Sequence, residues 1–336
     1  MKKVTMQDIA DSLSTSRISV WKALNNKPGV SDDLRMIVVN EAIKMGYIKR
    51  PFPDDNHKNN IARTVAVVMS RPESSIFWMQ IIHEIAKELA LNGINLMYTY
   101  MPSRWNEGDS LPPALTDGSV SGIIVLNIYL EQQLKMISNL PLPKVFLDSV
   151  PALLHDDMNG DIVFIEGRSS IREIAGRLLD IGCNKLGFIG DINYAQTNMD
   201  RYLGFVDAFS ERNLKIDKTF IMTESLDLDT HYQQIERFLS SLKSMPDGFV
   251  CVSDYIAHFV QRCFTDIGID QSKIYLTGFD NTSEHSNVAE KITSVDVQTG
   301  SMGERLANKI LFALKHPNLP HEVSYVLTKV VYRNLP

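Results

Sequence analysis

From Arg63 onward the chain alternates short apolar runs with longer amphipathic stretches, and this alternation restricts the fold more than any other feature. Nine runs are strand candidates: Thr64–Met69, Asn95–Tyr100, Gly122–Asn127, Lys144–Asp148, Ile162–Ile165, Lys185–Gly190, Phe220–Thr223, Gly248–Ser253 and Lys273–Gly278. Between most of them lie helix candidates, at Phe77–Asn92, Leu130–Asn139, Ser169–Ile181, Asp200–Asn213, Asp229–Leu242 and Tyr255–Ile267. Runs this short, separated by helices, indicate parallel sheets covered on both faces. Nine strands are many for one compact sheet, so the expected α/β core has two doubly wound lobes. Each presents the carboxyl ends of its strands to a shared cleft. A small molecule enclosed there would bias lobe closure about the hinge.

The first 49 residues follow a different rule. Thr5 stands three residues ahead of Asp8, so its hydroxyl can cap a helix while the carboxylate favours the helix's positive end. Ile9, Ala10 and Leu13 form one apolar stripe, Ser14-Thr15-Ser16 breaks it, and Val20, Ala23 and Leu24 resume it. Two short helices across a tight polar turn describe a helix-turn-helix, whose second helix offers its N-terminal side chains to the DNA major groove. The bland alternative is an ordinary helical hairpin with solvated basic residues. Ser31 then caps a third helix ending at Gly46, in which Leu34, Ile37, Val38 and Ala42 face one way and close an all-α headpiece. Residues 50–61 are polar and broken by Pro51 and Pro53, and read as a linker.

Charge is distributed to match. Residues 1–60 hold 10 Lys and Arg against 7 Asp and Glu, whereas the remainder holds 24 against 33. The DNA-facing part is the positive end of a chain with net charge −6. No apolar stretch follows the N-terminal lysines and no long apolar run occurs, so neither export nor a membrane span is expected and the cytoplasm is the expected location. Cys183, Cys251 and Cys263 sit in apolar surroundings and read as buried free thiols. Histidines without ligand spacing, and the lack of a phosphate-binding Gly-rich loop or nucleophile elbow, predict no metal, no cofactor and no enzyme.

The run Val4-Thr5-Met6-Gln7-Asp8-Ile9-Ala10, then Ser16, Ser19-Val20, Lys22, Leu24-Asn25, Val30-Ser31 and Gly46-Tyr47, resembles the headpiece of the lac-repressor (LacI/GalR) family of transcription regulators. The resemblance continues through Asp180–Gly190, Arg201–Phe205, Val252–Ala257, Gly278–Asn281 and Thr293–Val295. It implies a periplasmic-binding-protein-like core over residues 62–336. The N-lobe would be about 62–160 and 293–322, and the C-lobe about 161–292 and 323–336. It further implies a homodimer on double-stranded operator DNA, because one headpiece reads only a half-site.

By the same resemblance, Arg17, Ile18 and Lys22 sit where the family reads base edges. Arg and Lys can donate to guanine, and Ile18 can touch a thymine methyl. Thr5, Ser16 and Asn25 suit phosphate oxygens. In the core, Asp148, Arg201 and Asp280 match positions that grip effectors in the family, and Ser253 stands where the family often has Asn. Carboxylates and a guanidinium facing a cleft suit a polyhydroxylated ligand, so a sugar or sugar derivative is the expected effector. Phe77 and Trp78 can supply an apolar face for a ring. The bland readings are that both Asp cap turns and that Arg201 pairs with Asp200 or Asp207.

Several positions depart from the family pattern. Ser14-Thr15 replaces the usual Gly-Val of the turn, and a left-handed Ser14 would cost roughly 1–2 kcal/mol. Trp21 replaces a Ser and is expected to pack against a backbone or a neighbouring helix. Glu166-Gly167 replaces an Asp-Asn after the crossover strand. In the linker, family members commonly carry a segment that folds on DNA and wedges a Leu pair into the minor groove. Here Phe52 between two prolines is the only large apolar candidate, which predicts an extended arm and weak operator bending. The expected function is a sequence-specific transcription regulator, more a repressor than an activator, whose operator affinity is set by a small molecule in the cleft. The alternatives are a stand-alone solute-binding protein and an enzyme acting on a sugar in that cleft.

Overall fold

A computed structural model describes residues 4–24, 27, 29–31, 34, 35, 37, 38, 41, 42, 45, 47, 63–70, 75–106, 108–227 and 229–335. The chain divides into two compact units, Met1–Ile61 and Ala62–Pro336. The linker expected at 50–61, with Phe52, lies outside the described residues, as do Asn25 and Gly46.

In the first unit, helices α1 (Met6–Ser12) and α2 (Arg17–Leu24) flank the predicted turn. Thr5 and Asp8 form a capping box: the Asp8 carboxylate accepts from Thr5 N at 2.7 Å, and Thr5 Oγ1 accepts from Asp8 N at 3.3 Å. Ser14 does adopt the left-handed conformation, with φ of 49°. Its strain is carried by a small core in which Ile9, Ala10, Val20, Ala23, Val38 and Ala42 are all buried. Residues 34, 35, 37, 38, 41 and 42 are helical, and Ser31 Oγ accepts from Leu34 N at 3.3 Å as a cap should. Ile37 departs from expectation. It is 51% exposed, because the buried stripe follows the i, i+4, i+8 line of 34, 38 and 42, which leaves residue 37 on its flank.

The second unit contains strands β1 (Thr64–Met69), β2 (Asn95–Tyr100), β3 (Gly122–Leu126), β4 (Lys144–Leu147), β5 (Asp161–Ile165), β6 (Leu186–Ile189), β7 (Ile221–Met222), β8 (Gly248–Cys251), β9 (Tyr275–Thr277), β10 (Ser294–Asp296), β11 (Val323–Val326) and β12 (Lys329–Val331). They form a six-stranded sheet in the order β11-β5-β4-β3-β1-β2 and a four-stranded sheet in the order β7-β6-β8-β9, both parallel throughout. β10 and β12 pair antiparallel in a separate ribbon. Helices α3 (Ile76–Leu91), α4 (Glu131–Ser138), α5 (Arg168–Asp180), α6 (Gln196–Ser210), α7 (His231–Ser241), α8 (Asp254–Asp266) and α9 (Thr299–Lys315) cover the sheets.

The central strands are covered on both faces: every residue of β3, β4, β5, β6 and β8 is buried. At roughly 1.5–3 kcal/mol for each fully buried large aliphatic or aromatic side chain, that continuous burial dominates the stability of both lobes. The three cysteines are free and buried. Among the described residues no helix is long and apolar enough to cross a membrane.

The lobe crossings fall later than 160 and 322. β5 and β11 both belong to the first sheet and pair from Ile162–Val323 to Ile165–Val326, so the chain stays in that lobe for a further strand each time. Just beyond them, Glu166 N donates to Val326 O at 2.9 Å and Thr328 Oγ1 donates to Glu166 O at 2.8 Å, which ties the two crossing segments together. The passage expected near 292 runs beside β9, with bridges Thr277–Thr293 and Asp280–Asp296, and then enters α9 through a left-handed Gln298.

Candidate functional site

In the first unit, α2 turns one face inward through Val20 and Ala23 and the other outward. Ile18 is 67% exposed and Trp21 44%, and Ser16 and Arg17 are exposed beside them. Trp21 is thus only partly packed. Lys22, half-buried at the flank of this face, brings its Nζ to 3.2 Å from where a side-chain carbon at Gly29 would stand, and Gly29 has φ of +93°. A residue the sequence reading missed fixes the far end of α2. Arg35 donates through Nη1 to Ala23 O at 3.3 Å, in the last turn of α2, and through Nη2 to Lys27 O at 3.1 Å, just beyond it. A basic residue shortly after the second helix was the available signal. Ser16 Oγ accepts from Ser19 N at 3.0 Å, so both Ser16 and Thr5 serve as helix caps.

In the second unit, a cavity of about 410 Å³ opens between the two parallel sheets. Its walls include all six residues singled out in the core: Phe77, Trp78, Asp148, Arg201, Ser253 and Asp280. The loops that follow β3, β4, β6, β8 and β9 all contribute, which is where a doubly wound fold places its ligand. Three of these loop residues, Asn127, Asp148 and Asp280, have φ of 50°, 77° and 102°. For non-glycine residues such backbone is costly and collects at functional sites.

Arg201 is 5% exposed and rises from α6 through the floor. Its Nη1 donates to Val252 O at 2.7 Å, and its guanidinium lies 3.6 Å from the centre of the Phe279 ring. Its Nε is buried without an acceptor. Its Nη2 stands 3.8 Å from Asp280 Oδ1, too far for a direct hydrogen bond and suited to a bridging hydroxyl. Neither neighbour proposed for a bland pairing takes it. Asp207 accepts from Arg168 at 2.6 and 3.0 Å, and Asp200 accepts from Gln196 at 2.9 Å. The Gly167 departure also has an explanation here: a Cβ at that position would come 2.7 Å from Arg201 Cγ, so only glycine lets the arginine pass.

The two aspartates differ. The Asp148 carboxylate accepts from Ser149 N at 2.8 Å, from Thr197 N at 3.3 Å and from the Thr197 hydroxyl, so it joins the lobes with its own acceptors largely filled. Asp280 has no hydrogen-bond donor on its carboxylate among the described residues. Burial pushes Asp148 up to about 6 and Asp280 up to about 7, the latter opposed by Arg201 and aided by Asp254 and Glu284. Ser253 caps α8 by accepting from Ile256 N at 3.2 Å. Glu284, which no spacing in the sequence flagged, reaches across the cleft: its Oε1 accepts from Phe77 N at 2.8 Å and Ser75 Oγ at 2.9 Å at the start of α3.

The raised carboxylates have a consequence for stability. A folded pKa above the unfolded value means that the native state holds the proton more tightly. Stability is therefore lost as pH rises between about 4 and 7. Asp280→Asn removes that cost, and at about pH 8 we expect a gain on the order of 2–4 kcal/mol. Thermal unfolding of both proteins from mildly acid to mildly alkaline pH checks this. Parallel profiles would show that Asp280 does not titrate as stated.

Residues 175–334 match the family model described as a periplasmic binding protein-like domain. The HTH-type transcriptional repressor PurR of Mannheimia succiniciproducens is 23% identical over 336 residues, covering 98% of this chain and 97% of that protein. Over nearly its whole length the chain is similar to regulators of the LacI/GalR type. Its fold is also that of a solved CelR–cellobiose complex, with 18% identity, a TM-score of 0.72, and 99% of this chain and 100% of that one covered. The lac repressor dimer bound to operator and the anti-inducer ONPF gives 17% identity and a TM-score of 0.67 over 99% of each chain. The curated proteins this chain resembles are named as transcriptional repressors and regulators rather than enzymes.

Proposed function

We propose that this regulator is a cytoplasmic repressor that binds its operator as a homodimer, and that a sugar or sugar derivative in the interlobe cavity sets its operator affinity without being chemically changed. The observation that carries the effector assignment is the gap between Arg201 Nη2 and Asp280 Oδ1. A ligand hydroxyl placed there accepts from the guanidinium and donates to the carboxylate, so it completes a pair that the protein leaves open. Phe77 and Trp78, whose rings meet edge to face at 5.0 Å, offer apolar surface to a sugar ring. The cellobiose bound to CelR is consistent with this chemistry.

A thermal-shift screen over sugars, sugar phosphates, nucleosides and purines tests the reading, since a ligand that binds only the native state raises its apparent stability. The expected hit is a carbohydrate. A purine or nucleoside as the sole hit would replace it.

On DNA, the exposed face of α2 supports base reading by Arg17, Ile18 and Lys22. Lys22→Ala is expected to lower affinity for the specific operator by about 1–3 kcal/mol, and affinity for unrelated duplex much less. Fluorescence anisotropy on both duplexes measures the two losses. Equal losses would make Lys22 a phosphate contact.

A further inference from the structure

The sugar reading leaves the charge of the ligand open, and the cavity wall bears on it. Among its described lining residues are four carboxylates, Asp148, Asp191, Asp280 and Glu284, against one guanidinium, that of Arg201. Two imidazoles, His231 and His285, also line the wall, and burial and the stacked His258 hold the pKa of His285 below the usual value.

Three of the four carboxylates are engaged by the protein. Asp191 accepts from Asn193 N, Tyr194 N and Leu226 N at 2.9, 3.1 and 3.2 Å. Asp148 is filled by Thr197 and Ser149, and Glu284 is bound at the start of α3. Asp280 faces the cavity with its nearest cation 3.8 Å away. That cation is already committed on one side to Val252 O and on one face to Phe279. Rings line the remaining surface, with Tyr129 and Tyr194 4.5 Å apart beside Phe77 and Trp78. A partly buried carboxylate, 22% exposed, that takes no hydrogen bond from a described residue and shares its wall with aromatic rings and further carboxylates is an environment that favours a bound ammonium.

We propose that the effector is a protonated amino alcohol, which within the sugar reading above means an amino sugar. Its ammonium donates to Asp280 and its neighbouring oxygen accepts from Arg201 Nη2. Anionic ligands such as sugar phosphates are excluded by the same wall, since they would add charge of the sign already in excess.

The test is calorimetric titration of the full chain at neutral pH with glucose, galactose and mannose, each compared with its 2-amino, 2-acetamido and 6-phospho derivative. The acetamido group keeps the substituent and removes the charge. We expect at least one 2-amino sugar to bind tenfold or more tighter than its acetamido counterpart, and each 6-phosphate to bind more weakly than its neutral parent. Asp280→Asn should erase the amino–acetamido difference. Should that variant fold poorly, raising salt from about 50 to about 500 mM with the unaltered protein should weaken amine binding and leave the neutral parent unchanged. An acetamido or parent sugar that equals its amine, or a phosphate that binds tightest, overturns the proposal. If no carbohydrate of any charge binds, the sugar reading fails separately. Aminocyclitols and spermidine then decide: binding by either keeps the ammonium assignment, and silence from every amine overturns it.

Discussion

Arg201→Ala is expected to weaken binding of the best ligand from the screen by at least about 2 kcal/mol, roughly thirtyfold, while binding to operator without ligand persists. The magnitude follows from what the side chain does in the cleft. It is the only guanidinium among the described residues lining the cavity, it is 5% exposed, and one of its nitrogens is anchored to Val252 O, so its position does not depend on ligand. Removing it leaves the partly buried Asp280 without its nearest cation and the ligand oxygen without a donor. Calorimetry on wild type and variant, with anisotropy on DNA in parallel, separates the two effects. Loss of DNA binding with ligand affinity intact would make Arg201 structural and move the effector site elsewhere.

The second large effect concerns how Arg201 is held in place. Three residues along α6, Gly204 passes so close to α5 that a Cβ would stand 2.1 Å from Arg168 O. Arg168 O is backbone at the start of α5 and cannot turn aside. We expect Gly204→Ala to destabilise the core by more than about 3 kcal/mol, above the usual range for overpacking, because two helices must separate to admit one methyl group. Gly300→Ala, where the nearest atom to an added Cβ is Glu84 Cγ at 3.9 Å, is the control and should change stability by less than about 0.5 kcal/mol. Urea unfolding followed by far-ultraviolet circular dichroism measures both. Equal midpoints for Gly204→Ala and wild type would mean that the α5–α6 contact is looser than described.

Much of this architecture is legible in the chain. Strands covered on both faces are continuous apolar runs, so β1 through β9 emerge from the sequence with ends displaced by only a few residues. α9 is not among the expected helices, although Met302, Leu306 and Ile310 lie on one buried stripe. Gly300 and Gly303 disguise it, since glycine is a poor helix former. Gly303 is there because a Cβ would come 2.5 Å from Ile81 O, a contact with α3 more than 200 residues away in sequence and invisible locally. The β10–β12 ribbon is equally hidden: its strands are three residues long and pair Val295 with Val330. The crossings were placed early because nothing local marks β5 or β11 as belonging to one sheet or the other.

The site divides the same way. Arg201 and Asp280 could be singled out because they match positions that grip effectors in the family the sequence resembles. That Asp148 and Ser253 spend their acceptors within the protein could not, because Thr197 stands 49 positions from Asp148 in sequence and a capping serine looks the same as a ligand-binding one. Glu284 was missed because its partners, Ser75 and Phe77, lie in the other lobe.

The central claim is that occupation of the interlobe cavity changes affinity for a specific duplex. Its direct measurement uses the full chain and a duplex selected from random sequence by the protein itself. Anisotropy titrations are run with and without a saturating concentration of the ligand that gives the largest thermal shift. The account predicts a change of tenfold or more in Kd for the selected duplex, little change for random duplex, and no change for Arg201→Ala at the same ligand concentration. An identical Kd for the selected duplex with the cavity occupied and empty would contradict it.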